Sequence, residues 1–389
     1  MLLLVGATAA GARMLAVPIP GIAGPTIGFP GALRTNDGGA ILLLEIRRHP
    51  WSSTGTSLTA RVDADGTLDL GYGYEGVARL TVSPAAIPTA LAINPETGDA
   101  WIGTADGSRS EIFAIDNTGQ RQLGFGDHGG VMLPAVDGGG VRALAWHRGE
   151  LLVAAGAHGR CAGCALMLLN ATSGRLIAAA TLTDEAGGGP ACTDPVGVTS
   201  VAFRKSNELL AATEVGNPGR CTASLLELNN RLVPFGPDAP RVPPLPAQPL
   251  RSVVVTSQPG AMCVAGSGPA GIDIWPLGAT QSTQVAAGAS ARLVAIVPLG
   301  AGGCGALLQR GQRSAEVTQT GSNNPAPAVS HIPAGLAPLA MFRCHQHLLV
   351  IAASGSAANE TAMIVPVPIR RGPFAAAAVA RSTLTTGCR

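Results

Sequence analysis

An all-β chain assembled from a repeat of about 50 residues is the architecture this sequence predicts, on three observations. A polar turn closed by glycine, followed by an aromatic between glycines, recurs. RVDADGTLDLGYGYEGV begins at Arg61 and AIDNTGQRQLGFGDHGGV at Ala114, so Gly66 and Gly119 stand 53 positions apart, as do Tyr72 and Phe125. The 52 glycines and 30 prolines are scattered along the chain, as many short strands joined by tight turns require. Helical periodicity is not sustained anywhere over about ten residues. A period of this length points to a ring of like units. The expected fold is a single β-propeller domain of seven or eight blades over residues 1–389, closed by N- and C-terminal strands.

Taken in order, the copies share one pattern: an apolar strand A, a short turn, an apolar strand B ending in Gly or Ser, a loop, then strand C. They begin at Gly38, Ala90, Arg142, Ser200, Arg251, Arg292 and Pro338. The copy at Gly38 has a longer loop, and those at Arg292 and Pro338 are weaker. A fourth strand, D, is expected to carry the aromatic-between-glycines element. The N-terminus supplies MLLLVGAT, RMLAVPIPG and TIGFPG without a strand A, and the C-terminus has a spare apolar run, FAAAAVARSTL, from Phe374. A composite closing blade from residues 1–31 and 374–382, pairing 374–382 with a hairpin around Leu2 and Val5, would remove an exposed edge.

The turn itself raises a chemical question, because Asp63, Asp65 and Asp69 surround Gly66 like a calcium loop. Such a loop needs oxygen ligands at fixed steps over about twelve residues. Here the alternation stops after Asp65, and the acids vary in the next copies. Asn, Asp and Gly suit a turn because they tolerate positive φ and cap their own backbone. The element reads as architecture.

FGDHGGV (residues 125–131), ALAWHRGELLVAAG (143–156) and LLNATSG (168–174) together resemble the delta-60 repeat, and YEGV (74–77) with ALAINPETGDAWIG (90–103) is a second match. The resemblance is clear over about residues 61–236 and faint elsewhere. It implies a β-propeller, of a kind mostly bacterial and often exported. It carries no catalytic residues, so it implies no reaction.

Composition narrows the function. With 46% hydrophobic residues a large core is available, and with 13% charged residues and a net charge of +2 the chain lacks the concentrated basic patch a nucleic-acid partner requires. Arginine supplies all the basic residues but Lys205. No apolar run reaches the roughly 18 residues of a membrane-spanning helix. The opening MLLLVGATAAGARM lacks a basic n-region and is interrupted by Arg13, unlike a secretion signal. Eight cysteines, an even number, lean toward an oxidising compartment, so an extracellular or cell-envelope location is expected.

Four of these cysteines draw notice. Cys161-Ala-Gly-Cys164 follows His158 in a B–C loop, not at the helix start that a redox pair needs. Cys192 and Cys221 fall at the same blade edge. Two disulfides, Cys161–Cys164 and Cys192–Cys221, a four-cysteine metal site and free thiols all remain open. No phosphate loop or nucleophile elbow is present, and no cofactor is indicated. His345-Gln-His347 reads as a surface turn between strands A and B, and Trp101 and Trp146 as core residues, with Trp51 in a loop.

The expected function is a non-enzymatic binding or interaction module. Its partner is a protein or a small-molecule or glycan ligand, not nucleic acid. The B–C loops gather His49 and Trp51, then Asp106 and Arg109, then His158 and Arg160, then Arg220 on one face. That is where loops on a rigid scaffold usually bind. The opposite A–B turns read as too tight for recognition. The alternatives are a lactonase-like metal-dependent hydrolase using the central channel and a purely structural repeat domain.

Overall fold

The B strands carry runs such as AILLLEI and ELLVAA, apolar at consecutive positions. Side chains alternate between the two faces of a strand, so such a strand must be covered on both faces. The computed structural model shows how. It describes residues 15–16, 26–35, 37, 39–47, 55–63, 67–80, 86–106, 109–133, 139–157, 164–182, 198–205, 208–217, 220–233, 252–258, 261–268, 271–276, 282–285, 291–300, 303–311, 313–321, 324–344, 347–354 and 361–369.

Twenty-seven strands form seven antiparallel sheets among the described residues. Strand β1 (Leu15–Ala16) comes first. Blade 1 then holds β2 (Thr26–Arg34), β3 (Ala40–Arg47), β4 (Gly55–Val62) and β5 (Val77–Arg79). Blade 2 holds β6 (Ile87–Ile93), β7 (Ala100–Asp106), β8 (Arg109–Ile115) and β9 (Gly130–Met132). Blade 3 holds β10 (Gly139–His147), β11 (Glu150–Ala157), β12 (Cys164–Asn170) and β13 (Leu176–Leu182). Blade 4 holds β14 (Val198–Lys205), β15 (Glu208–Asn217) and β16 (Arg220–Asn229). Blade 5 holds β17 (Ser252–Gln258), β18 (Ala261–Gly268), β19 (Gly271–Pro276) and β20 (Thr283–Val285). Blade 6 holds β21 (Arg292–Gly300), β22 (Gly303–Gln309), β23 (Ala315–Gly321) and β24 (Asn324–His331). Blade 7 holds β25 (Ala337–Cys344), β26 (His347–Ser354) and β27 (Thr361–Pro368), with β1 as its outer strand.

The first strand of each blade packs against the first strand of the next, and β2 against β25, so the ring closes. This is a seven-bladed β-propeller. Both faces of every blade are thereby used. In β3, Leu42 and Leu44 join Phe342 and Ile351 between blades 1 and 7, while Ile41 and Leu43 join Leu91, Ile93 and Ile102 between blades 1 and 2. In β11, Leu151 and Val153 face blade 2, and Leu152 and Ala154 face Phe203 and Leu209 of blade 4.

Ring closure departs from the sequence expectation. TIGFPG belongs to β2, the inner strand of blade 1, so the copy at Gly38 contributes strands B and C and no separate eighth blade forms from it. Leu15 and Ala16 pair with Ile364 and Met363, adding an outer strand to blade 7. Sequence alone could not separate these roles because a lone apolar stretch fits an inner or an outer position equally well. The segments 374–382 and Leu2 to Val5 lie outside the described residues.

The repeated turn element is an interlock between blades. Tyr72 is fully buried, its hydroxyl 2.7 Å from Thr59 Oγ1, and the N–H of Gly73 donates to the carbonyl of Thr118 in the next blade at 2.7 Å. One repeat later Phe125 is fully buried, and the N–H of Gly126 donates to the carbonyl of Ser173 at 3.0 Å. Glycine follows each acceptor. At Gly119 (φ +83°) a Cβ would stand 2.7 Å from Ala78 Cβ and 3.1 Å from Tyr72 Cζ. At Gly174 (φ +69°) it would stand 2.9 Å from the Gly126 nitrogen. Asp69 is spent in the same corner, accepting from the N–H of Gly71 at 3.0 Å and pairing with Arg61 at 3.2 Å. Arg61 also donates to the carbonyl of Asn117 in blade 2 at 2.9 Å and pairs with Asp37. Burial, which alone would raise the Asp37 carboxyl, is outweighed by hydrogen bonds from Thr35, Gly39 and Arg61, leaving it below its ordinary value.

A disulfide joins Cys263 of β18 to Cys304 of β22, with Cα atoms 6.0 Å apart and both side chains fully buried between blades 5 and 6. The expected pairs are different ones: Cys161 and Cys192 lie outside the described residues, while Cys164 opens β12 opposite Leu182 and Cys221 lies in β16 opposite Gly216. The observed pair is not legible from loop edges in the blade scheme. These two sulfurs meet across strand faces.

Two outcomes are expected. Gly119 and Gly149 share φ +83°, but a Cβ at Gly149 would meet nothing within 4 Å. Gly119→Ala should therefore cost about 1–3 kcal/mol more than Gly149→Ala, measured by denaturant unfolding; equal losses would mean the corners do not interlock. The Cys263–Cys304 bond spans 41 positions, and loop-closure entropy gives it about 4 kcal/mol. Replacing both by Ala should lower unfolding free energy by several kcal/mol, and unchanged stability would contradict a structural role.

Candidate ligand cleft between blades 2 and 3

In each antiparallel blade the A–B and C–D connections emerge at one end and the B–C connections at the other. The end carrying the A–B turns holds a cavity of about 320 Å³ between blades 2 and 3, within the usual range for ligand sites. Its floor is Trp101, 3% exposed, and Trp146, which is partly buried. Their rings are stacked, 6.3 Å between centroids and 10° from parallel. The indole N–H of Trp101 donates to the carbonyl of Ala171 at 3.0 Å, which fixes the inner ring.

The walls follow from local turn chemistry. Asn94 opens the A–B turn of blade 2 with its N–H on the Asp99 carbonyl at 2.8 Å, and its side-chain oxygen accepts from the N–H of Glu96 at 3.0 Å. Thr97 donates to Asp99 at 2.8 Å. Glu96 and Asp99 thus line one side of the cavity. Opposite, Arg148 and Gly149 have φ of +47° and +83°, the two-residue turn that matches strand twist. Gly149 accepts from the N–H of Ala171 at 2.8 Å, joining this hairpin to the C–D turn where Asn170 accepts from Thr172 and Ser173. Gln122 and Thr172 complete the rim. Behind Trp146, His147 stacks on Phe203 at 5.4 Å. Burial and then the Arg148 charge hold its imidazole below the ordinary value, so it is neutral at pH 7.

Exposed apolar side chains gather at the same end. Leu70 and Leu123, 72% and 70% exposed, occupy one repeat position in the C–D corners of blades 1 and 2, and Tyr74 in the first of these corners and Val233 after β16 are also exposed. Such apolar exposure on a soluble surface marks contact sites.

The sequence-expected site residues fare differently. His49, Trp51, His158 and Arg160 lie outside the described residues. Asp106 and Arg109 pair with each other at the end of β7 and β8, and Arg220 pairs with Asn217 at the end of β15 and β16, so these three lie at B–C ends. The reading of the A–B turns as lacking room needs correction, since the cavity is lined by Glu96 from one of them. The sequence signal was present in Trp101 and Trp146, 45 positions apart in neighbouring blades. Read one residue at a time, both looked like core, and Trp146 is only partly so. His347 pairs with Cys344 at the A–B end of blade 7, and His345 and Gln346 lie outside the described residues. Among the described residues no three His, Cys, Asp or Glu side chains converge as a metal site, and no helix is long and apolar enough to cross a membrane.

No family model and no curated protein matches the sequence. Solved structures do match in shape. A chain of the mitotic checkpoint complex is 14% identical with TM-score 0.57, the match covering 95% of this chain and 99% of that one. The β-propeller domain of the trilobed protease from Pyrococcus furiosus is 8% identical with TM-score 0.55, covering 90% and 97%. The Cps50 (Swd1) β-propeller domain from Myceliophteria thermophila is 12% identical with TM-score 0.52, covering 90% and 99%. At these identities the likeness shows the fold alone.

Proposed function

We propose that this protein is a non-enzymatic binding propeller that takes its ligand on the A–B end, in the cleft over Trp101 and Trp146. The observation that carries the reading is the stacked tryptophan floor with charged and amide groups on its rim. An apolar floor bordered by hydrogen-bonding groups suits a ligand with an apolar part and a polar edge, which a sugar ring or a protein side chain provides. Trp and Arg are the side chains most enriched where binding energy concentrates. The repeat's likeness to delta-60 proteins, which are often exported, supports an exported protein. The buried disulfide fits an oxidising compartment.

The test is binding to glycan and peptide arrays by the parent and two variants. A ligand held by the parent should lose at least about tenfold in affinity, about 1.4 kcal/mol, with Trp146→Ala. It should keep its affinity with Trp51→Ala combined with Arg160→Ala, which the sequence assigns to B–C loops. The reverse pattern would move the site to the B–C residues. No retention on either array, with turnover of a lactone instead, would replace the binding reading with the hydrolase.

A further inference from the structure

The C–D corners of blades 1 and 2 carry large apolar side chains that the core does not use. Leu70 and Leu123 stand 53 positions apart, at one repeat position, and are 72% and 70% exposed; Tyr74 is 77% exposed. Both corners end in closed two-residue turns. Tyr74 and Val77 exchange backbone hydrogen bonds of 2.8 and 3.1 Å around Glu75 and Gly76, at φ +52° and +88°. Asp127 and Gly130 exchange bonds of 2.7 and 3.1 Å around His128 and Gly129, at φ +50° and +85°. Glutamate is disfavoured at such φ, so the turn does not explain Glu75. The two corners adjoin, since the N–H of Gly73 in the first donates to the carbonyl of Thr118 at the entry to the second. Gln122, beside Leu123, lines the tryptophan cleft.

Charge says what covers this surface. The chain as a whole has a net charge of +2, yet residues 63–76 and 94–99 hold no Lys or Arg, and 116–129 hold only Arg121. Arg121 lies over the Phe113 ring, 4.5 Å from its centroid, and pairs with Glu111 at 3.5 Å. Arg61, at the end of β4, is shared between Asp37 and Asp69. Beyond these pairs the same corners and the A–B turn of blade 2 add the carboxylates of Glu75, Glu96, Asp99, Asp116 and Asp127. On blade 3 the sign changes, with Arg148 in the A–B turn and Arg175 after the C–D turn. We propose that the corners of blades 1 and 2 dock an extended segment of a partner protein in which Lys or Arg is interspersed with apolar side chains. Its apolar residues cover Leu70, Tyr74 and Leu123, and its basic residues answer the surrounding carboxylates. The arginines of blade 3 set where the basic stretch must end. Surface charge of one sign also speeds encounter with a partner of the other. This surface adjoins the tryptophan cleft and stands without it.

Fluorescence anisotropy with three labelled peptides tests it: SLKSLKSLKS, about 33 Å long when extended, its counterpart with Glu for Lys, and its counterpart with Ser for Leu. The first should bind the parent at least about tenfold more tightly than either counterpart, and less tightly as salt is raised. Leu70→Ser combined with Leu123→Ser should weaken it at least about tenfold, and so should Glu75→Gln combined with Asp127→Asn. These four side chains are exposed, so the melting temperature should stay at the parent value. Trp146→Ala should leave this binding nearly unchanged. The proposal is overturned if the parent binds none of the peptides, if it binds all three alike, or if the leucine pair can be replaced without effect. Loss of binding with Trp146→Ala while the corner variants bind like the parent would keep the cleft and remove the corners. A parent that sediments as a dimer, turned into a monomer by Leu70→Ser with Leu123→Ser, would give the surface to a second copy and overturn the proposal as well.

Discussion

Every blade of this protein must hide two apolar faces, and the only surface available to each is the face of the next blade. That constraint organises the rest. It explains why the B strands are apolar at consecutive positions, why seven hydrophobic clusters sit at seven interfaces instead of one cluster at a centre, and why the ring must close. An open end would leave Leu42, Leu44 and Leu58 on one side or Phe342 and Ile351 on the other in water. At about 25 cal/mol per Å² of apolar surface, such a face costs several kcal/mol. Among the described residues β1 adds two paired residues to blade 7, and blades 1 and 7 also meet through a shared apolar cluster.

The secondary links lie on the same seams. The aromatic corner of one blade seats on the glycine turn of the next, twice in succession, with a backbone hydrogen bond at each seat. Inner strands are linked across seams too. Thr89 reaches the Val141 carbonyl of blade 3, and Ser200 accepts from the N–H of Val255 in blade 5. The disulfide crosses a seam as well. The cleft is a place where a seam is incompletely filled at its end, and of its two seam tryptophans Trp101 is buried and Trp146 partly so.

The repeat, the all-β class and the blade count within one were legible because the turn element is local. A polar turn closed by a positive-φ glycine recurs at Gly119 and Gly174, and the aromatics Tyr72 and Phe125 stand 53 positions apart. The assignment of TIGFPG was not legible, since inner and outer strands have similar composition and only pairing tells them apart. Nor was the Cys263–Cys304 bond, which depends on which face of each strand a side chain occupies. The cleft escaped for a related reason: Trp101 and Trp146 are ordinary strand residues until the twist between blades 2 and 3 brings their rings into register.

The central claim is that closure between blades 1 and 7 stabilises the whole ring. Phe342, 4% exposed, belongs to that seam, whereas Trp101, Trp146 and Trp275 lie on seams between blades 2 and 3 and between blades 4 and 5. Phe342→Ala should cost about 3–5 kcal/mol. In guanidinium unfolding, tryptophan fluorescence and far-ultraviolet circular dichroism should shift together as one transition. A tryptophan transition that stays at its parent midpoint while the dichroism signal is lost in part would show that the seams hold independently and that closure is not what the fold depends on.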